Sequence, residues 1–302
     1  MKIAIYLTSI STNKNAIKLA VLRRFGAGIS KSTDQVEFVN GHDLIDCEVA
    51  VLLGFVHNDI SSPHLQLRKK VLNNHKNIII IDSNLFQFAN DNLKNYYLRY
   101  SLNGIFPTTG FYFDNKLDIS RWKTISQQLG ISLVPYRTNG NHILVCLQRV
   151  DGWSMGRTMV QDWLDNCVTE IRKYSNRPII VRKHPGDKRQ HQLNFSDQYT
   201  ISKNLRLIND LENCWATVTY NSSPGIASLI QGIPTFVTDK ESKRSQTWPI
   251  CNTDLRFIDT PTMLDRTDWI NRISQSHWND DEVASGQAWT FIRERLNLLT
   301  NP

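Results

Sequence analysis

The chain has 302 residues, of which 40% are apolar and 21% are charged, and its formal net charge is +7. This composition excludes a disordered or fibrous protein, and no window holds the roughly 18 consecutive apolar residues of a membrane-spanning helix. A length near 300 residues predicts two domains of about 150 residues each.

The N-terminal half alternates short apolar runs with helix-like stretches, which is typical of a parallel α/β sheet. The chain enters its first strand almost at once, without the apolar stretch and cleavage site of a signal peptide, so we expect a cytoplasmic protein (in the host cytoplasm if it is viral). Tyr96–Gly110, rich in Asn, Gly, Pro and Thr, breaks the alternation. The predicted strands are Ile3–Leu7, Val36–Val39, Val49–Leu53 and Ile78–Ile81, and the predicted helices are Asn15–Phe25, Leu65–Leu72 and Ile119–Leu129.

The alternation restarts after the turn-rich residues 138–141, which predicts a domain boundary there. The first domain covers 1–138 and the second 139–283, while a closing helix over 284–300 is expected to pack back on the first domain. The fold class is therefore α/β, with two Rossmann-like domains facing a cleft. In the second half the predicted strands are His142–Leu147, Pro178–Val181, Thr217–Tyr220 and Thr235–Val237, and the predicted helices are Met159–Tyr174 and Pro224–Gln231.

A basic turn follows the strand Pro178–Val181, at the sheet edge where α/β proteins bind ligands. Pro185 stiffens the turn and biases His184 towards an extended backbone. Four cations and one imidazole within eight residues suit a diphosphate that leaves with negative charge. A solvated basic turn with an incidental histidine is the alternative. The turn has the sequence Arg182-Lys183-His184-Pro185-Gly186-Asp187-Lys188-Arg189.

A second candidate site follows the strand Thr217–Tyr220, where Ser222 and Ser223 precede Pro224. Ser223 is placed as an N-cap and Pro224 at the first helical position. No carboxylate occupies the capping-box position, so the amides of Gly225 and Ile226 are expected to face an open anion site. Gly225 would also let the backbone approach a phosphate closely. An ordinary helix cap is the alternative.

Together the two sites resemble those of the two-domain, GT-B type bacterial sialyltransferases and capsular-polysaccharide transferases, which carry a His-Pro motif and a serine motif. The resemblance covers roughly Val181–Pro234. It implies that His184, Ser222 and Ser223 bind the phosphate of a nucleotide-sugar donor, with Arg182 and Lys183 in support. The donor is a co-substrate, and no other cofactor is implied.

The same families draw a catalytic base from the N-terminal domain. Asp82 ends the most apolar predicted strand of that domain and is the first candidate. Asp59 and His57, in the loop after Val49–Leu53, are alternatives. Arg157, in the loop after the first strand of the second domain, is a further candidate donor contact. Each of these residues could instead be an ordinary surface polar group.

Several other classes of enzyme are excluded by missing motifs. The chain has no GxxxxGK[ST] and no GxGxxG after its first strand, which argues against a P-loop kinase and a Rossmann dehydrogenase. It also lacks GxSxG, HExxH and the DxD triplet of metal-dependent single-domain transferases. The five cysteines are widely spaced without a CxxC pair. We expect no essential metal.

The acceptor hypothesis rests on charge. Residues 1–136 hold 15 Lys and Arg against 10 Asp and Glu, which suits a polyanion. Arg68, Lys69, Arg121 and Trp122 are candidate contacts to double-stranded DNA, in which 5-hydroxymethylcytosine would accept the sugar as with phage DNA glycosyltransferases. A capsular or lipopolysaccharide glycan is the competing acceptor. A non-catalytic nucleotide-, glycan- or DNA-binding module is the alternative of another class.

Overall fold

The computed structural model describes residues 1–11, 16–55, 62–88, 97–110, 117–150, 155, 158–239 and 244–300, apart from the side chains of Gln190 and Thr300. The chain forms two compact units, Met1–Asp118 with Ile273–Pro302 and Ile119–Arg272. The second unit is therefore an insertion in the sequence of the first. The boundary predicted after residue 138 lies within the second unit.

The first unit contains a six-stranded sheet, whose strands are β1 (Lys2–Tyr6), β2 (Gln35–Val39), β3 (Val49–Leu53), β4 (Ile78–Asp82), β5 (Tyr97–Leu102) and β11 (His277–Asn279). Their order across the sheet is β11-β5-β4-β3-β1-β2. Strands β1 to β4 pair in parallel, as expected from their apolar runs, and β5 and β11 extend the sheet antiparallel. Helices α1 (Ala16–Ile29) and α2 (Pro63–Asn74) connect its strands.

The second unit contains a five-stranded, entirely parallel sheet, whose strands are β6 (His142–Cys146), β7 (Ile179–Arg182), β8 (Thr200–Ile201), β9 (Cys214–Thr219) and β10 (Thr235–Val237). Their order across the sheet is β10-β9-β6-β7-β8. Its helices are α3 (Ser120–Leu129), α4 (Val160–Tyr174), α5 (Leu207–Asp210), α6 (Pro224–Ile230) and α7 (Thr267–Ser274), the last of which runs into the final segment of the first unit. Each unit is thus a Rossmann-like α/β structure.

The C-terminal segment returns to the first unit, which confirms the predicted packing of the closing helix. Helix α8 (Asp280–Ser285) lies so close to α1 that a Cβ on Gly28 would clash with the Val283 carbonyl oxygen. Helix α9 (Gln287–Thr300) buries Trp289 in the core, where its indole nitrogen donates to Asp34 at 2.9 Å. Within the described residues, no helix has both the length and the apolar character needed to cross a bilayer.

The strands β5 and β11 were not predicted, because buried polar residues interrupt their apolar pattern. Arg99 in β5 is only 4% exposed, and its guanidinium donates to the carbonyls of Ser83 and Ile105 and pairs with Asp82. His277 in β11 is fully buried and bonds to Ile273 and Leu85. Satisfied hydrogen bonds allow such residues inside a sheet, but a hydropathy pattern does not reveal those partners.

Candidate functional site

Two loops meet at the carboxyl edge of the second sheet. The first, here called the β6 loop, is residues 147–150, and the second, the His-Pro loop, is residues 183–189. The Leu147 amide donates to the Arg182 carbonyl at 2.9 Å, and the Val150 amide donates to the Asp187 carboxylate at 2.7 Å. Arg189 donates back to the Val150 carbonyl. These bonds fix the two loops to each other on neighbouring strands.

The Asp187 carboxylate is the anchor of the His-Pro loop. It is only 3% exposed and also accepts a hydrogen bond from the Arg189 amide at 3.0 Å. Burial would raise the pKa of Asp187, but the amides of Val150 and Arg189 outweigh it and hold this pKa below the ordinary value. The charged carboxylate is thus retained at neutral pH, and the loop keeps its shape.

His184 presents a defined tautomer. Its Nδ1 accepts a hydrogen bond from the Gly186 amide at 3.1 Å, so a neutral ring carries its proton on Nε2. Partial burial lowers the pKa of His184, the Arg149 guanidinium lowers it further, and Asp187 opposes them. The ring is therefore neutral at pH 7, and its Nε2–H is a hydrogen-bond donor suited to a phosphate oxygen.

The other two basic residues predicted here have different surroundings. Lys183 is half-buried, and its ammonium lies 4.5 Å from the centre of the Phe195 ring. Arg182 is 9% exposed and binds protein groups: the carbonyls of Asn204 at 2.9 Å and Leu205 at 2.8 Å, and the carboxylate of Asp210. Its guanidinium therefore holds the end of β7 to the segment before α5, in place of the predicted contact with a donor.

The serine motif lies at the same sheet edge, after β9, with β6 between it and the His-Pro loop. Ser223 is exposed and makes no side-chain capping bond. The Ser222 hydroxyl oxygen is shielded from solvent and has no hydrogen-bond partner among the described residues. A buried hydroxyl left unpaired costs about 1–3 kcal/mol. The Ser222 hydroxyl can therefore form a hydrogen bond with a ligand at the serine motif.

The backbone amides at the start of α6 are not open to an anion, contrary to the prediction, because they already donate hydrogen bonds within the chain. The Gly225 amide donates to the Ser222 carbonyl at 3.3 Å and the Ile226 amide to the Ser223 carbonyl at 2.9 Å, because the chain turns tightly before the helix. Gly225 itself is buried, and a Cβ there would stand 2.8 Å from the Thr235 methyl. Its lack of a side chain thus serves packing against β10, and the hydroxyls remain as the polar groups of the motif.

A chain of amides joins the strand ends beneath this edge. Gln148 donates to Asn221 at 2.6 Å, and Asn221 donates to Asp239 at 2.9 Å. Gln148 and Asn221 are 7% and 9% exposed. These bonds tie the ends of β6, β9 and β10 together, so that both candidate loops stand on a rigid base.

Arg149, which the sequence does not single out, also lies at this sheet edge. This exposed arginine belongs to the β6 loop. A Cβ on Gly186 would stand 2.7 Å from its Nη2 and 3.5 Å from Cε1 of His184, so the arginine and the imidazole flank the same glycine. The available signal was a single charged residue just after a buried parallel strand, at the ligand-binding edge.

The predicted base Asp82 lies at the carboxyl end of β4, and its side chain is 24% exposed. One carboxylate oxygen accepts the Ser83 amide at 2.7 Å and the other pairs with Arg99 at 2.9 Å. His57, Asp59 and Arg157 lie outside the described residues.

The predicted acceptor contacts are mostly not at the surface. Arg68 is 6% exposed and donates to the carbonyls of Ser9 at 2.7 Å and Phe55 at 2.8 Å, so it braces the first unit. Burial lowers the pKa of Arg68 to about 10, which leaves it charged at neutral pH. Arg121 is 5% exposed, Trp122 is half-buried, and both belong to the second unit. Lys69 alone of the four is exposed.

The described residues contain no group of three or more His, Cys, Asp or Glu side chains arranged to hold a metal ion. The five cysteines are free thiols; Cys47 is half-buried and the others are buried.

Comparison with known proteins identifies the fold. No family model and no curated protein sequence matches the chain. Among solved structures, KpsC of Thermosulfurimonas dismutans, a beta Kdo 2,7 transferase, aligns over 96% of this chain and 99% of that chain, with a TM-score of 0.56 and 13% identity. A beta Kdo 2,4 transferase of KpsC from the same organism aligns over 90% of each chain, with a TM-score of 0.58 and 10% identity. At such identities the likeness concerns the fold, which is the expected GT-B fold of two Rossmann-like domains.

Proposed function

We propose that this chain is a glycosyltransferase that takes a sugar from a nucleotide-sugar donor and binds the donor's phosphate on its second unit. The observation that carries the proposal is the placement of His184 and of the Ser222–Ser223 pair at one edge of a parallel sheet. The likeness in fold to the KpsC transferases supports the reaction class.

The chemistry follows from the donors at this edge. When the bond between the sugar and the phosphate oxygen breaks, negative charge develops on the leaving phosphate, and pre-positioned donors stabilise it. His184 donates from Nε2, Lys183 contributes positive charge, and the hydroxyls of Ser222 and Ser223 donate in turn. Because protein groups provide these interactions, we propose transfer without an essential metal.

The acceptor hydroxyl also requires a general base, for which we propose Asp82, with Asp59 and His57 as alternatives. Asp82 ends a buried strand at the carboxyl edge of the first sheet. Both of its oxygens already accept a hydrogen bond, which fixes the carboxylate, and each keeps a second lone pair for a proton. Arg157 stays a candidate donor contact.

For the acceptor we propose a glycan, in preference to hydroxymethylated DNA. The DNA hypothesis depended on surface cations, yet Arg68 and Arg121 are buried and are not available for phosphate contacts. The two KpsC structures that resemble this chain are Kdo transferases, which supports the capsular-type alternative.

Replacing His184 by alanine tests the donor site. Among UDP, GDP and CMP, the nucleotide that the wild type binds most tightly is used as the ligand. We expect its dissociation constant to rise roughly tenfold to hundredfold, since a hydrogen bond to a charged group contributes about 1.5–3 kcal/mol. Titration calorimetry measures the constant, and thermal unfolding should stay unchanged. His191→Ala, at an exposed histidine close by in sequence, is the matched control. Equal affinity in a folded His184→Ala protein would remove the basis of the proposal.

A transfer assay tests the reaction and the acceptor. A panel of radiolabelled nucleotide sugars, including an activated Kdo, is offered to capsular oligosaccharides, hydroxymethylcytosine DNA and unmodified DNA side by side. We expect label in the oligosaccharide only. Label confined to hydroxymethylcytosine DNA would reinstate the DNA acceptor, and nucleotide binding without transfer to any acceptor would favour the non-catalytic module.

A further inference from the structure

Arg149 lies between two residues that are hydrogen-bonded to other parts of the candidate site. On one side, the Gln148 side chain is bonded to Asn221 at 2.6 Å. On the other, both polar groups of the Val150 backbone are engaged by the His-Pro loop, the amide by Asp187 and the carbonyl by Arg189. The backbone at residue 149 is thus fixed from both directions, while its side chain is exposed.

The guanidinium occupies space that Gly186 leaves open. A Cβ at residue 186 would come within 2.7 Å of Nη2 of Arg149, closer than real contacts allow, and 3.5 Å from Cε1 of His184. The φ angle of Gly186 is not in the left-handed region. A side chain at residue 186 would therefore not strain the turn, but it would displace the end of the Arg149 side chain.

Arg149 differs from the two other arginines near this loop. Arg182 is committed to Asp210 and two carbonyls, and Arg189 to the Val150 carbonyl. Among the described residues, no carboxylate lies within ion-pair distance of Arg149, and no hydrogen bond engages its guanidinium. A fork of five N–H donors beside a neutral histidine at a sheet edge matches the oxygens of a phosphate.

We propose that Arg149 is a second phosphate-binding residue, which grips the donor's phosphate together with His184 across Gly186. The inference rests on the proposed function and adds to it a residue outside both motifs. Arg149 contributes a permanent positive charge and paired donors, and His184 contributes the single directed donor of its Nε2. The arginine's charge also disfavours protonation of the imidazole, which keeps Nδ1 as the acceptor of the Gly186 amide and so fixes the orientation of the ring.

The proposal is tested by the affinity of the 302-residue chain for whichever of UDP, GDP and CMP the wild type binds most tightly. Arg149→Ala should raise the dissociation constant roughly tenfold to hundredfold, and Arg149→Lys by less, because lysine keeps the charge and loses the fork. Lys173→Ala removes an equal charge from an exposed position in the last turn of α4, in the same unit, and is the control. Loss of affinity in Lys173→Ala equal to that in Arg149→Ala would reduce the effect to net charge and overturn the proposal.

Gly186→Ala gives a second and independent measurement. The added methyl displaces the guanidinium without removing it, so affinity should fall by several-fold. In the double variant Arg149→Ala/Gly186→Ala the added methyl has no guanidinium to displace. The losses of affinity of the two single variants should therefore not add. Additive losses of affinity would show that Gly186→Ala does not act by displacing Arg149. The proposed binding of one phosphate by Arg149 and His184 on either side of Gly186 would then be wrong.

The ring of His184 provides a readout that loss of fold would not mimic. Among the described residues, Arg149 and Asp187 are charged groups that shift its pKa. Removing Arg149 should raise the pKa of His184, as followed by NMR, whereas Lys173→Ala should not. If His184→Ala loses nucleotide binding while Arg149→Ala retains it and the His184 pKa is unmoved, this inference fails and the proposed function stands. If the wild type binds no nucleotide, both fail.

Discussion

Replacing Asp210 by asparagine is expected to lower the free energy of unfolding by about 3–5 kcal/mol, because it leaves the buried Arg182 charge without its partner. The Asp210 side chain is 1% exposed, and besides Arg182 it accepts hydrogen bonds from Ser202 at 2.6 Å and Asn204 at 2.7 Å. Removing one member of such a pair costs far more than the pair contributes as a whole. Urea unfolding followed by tryptophan fluorescence measures the change.

The same unit contains a matched exposed pair. Asp254 lies 2.6 Å from the Arg256 guanidinium, with side chains that are 37% and 63% exposed. Asp254→Asn should leave the unfolding midpoint where it is, since solvent screens such pairs. If Asp210→Asn unfolds at the same urea concentration as the wild type, Arg182 is not held as a structural group, and its role in binding the donor must be considered again.

The second large effect is expected at Asp34, in the first unit. Its side chain is fully buried and receives the Met1 ammonium at 2.7 Å, the Trp289 indole at 2.9 Å and the Ser32 hydroxyl at 3.1 Å, while Arg293 lies 2.8 Å away. Burial would raise the pKa of Asp34, but these donors outweigh it and the pKa falls below the usual 3.8. Asp34→Asn should therefore destabilise the protein by about 3 kcal/mol at pH 7.

The pH dependence of this effect has a definite sign. Because the pKa of Asp34 is lower in the folded than in the unfolded protein, its contribution is fully present above the unfolded pKa and is lost as pH falls through the folded one. The difference between wild type and Asp34→Asn should stay constant from pH 7 to about pH 5 and shrink below about pH 4. Asp43→Asn, at an exposed position, is the control. A difference that grows on acidification would contradict the assigned interactions.

The parallel strands could be predicted because burial on both faces requires long apolar runs, as in Val49–Leu53 and Ile78–Asp82. The antiparallel extension could not, since Arg99 is satisfied by Ser83 and Asp82 at the end of the preceding strand and His277 by Leu85, 192 residues away. Residue spacing on a helix also does not tell whether a basic side chain is buried, which is why Arg68 and Arg121 were placed at the surface.

The candidate site shows the same limit. Turn chemistry makes His184 and the two serines predicted donor contacts, because a His-Pro turn and a Ser-Ser-Pro turn each follow a buried strand. Arg149 carries no such pattern, and only the geometry places it beside Gly186. The amides of Gly225 and Ile226 were expected to be open because capping was considered through side chains, whereas the backbone turn satisfies them.

The return of the C-terminal segment has a consequence for the order in which the protein is made. During synthesis, residues 119–272 leave the ribosome as one continuous stretch and hold every strand of their own sheet. Synthesis of the first unit starts earlier, but its core is complete only once β11, α8 and α9 have been made. Trp289 of α9 packs in this core against Phe25 and donates a hydrogen bond to Asp34. Domains usually fold as they emerge, the N-terminal one first. Here the inserted unit is completed before the unit that begins the chain.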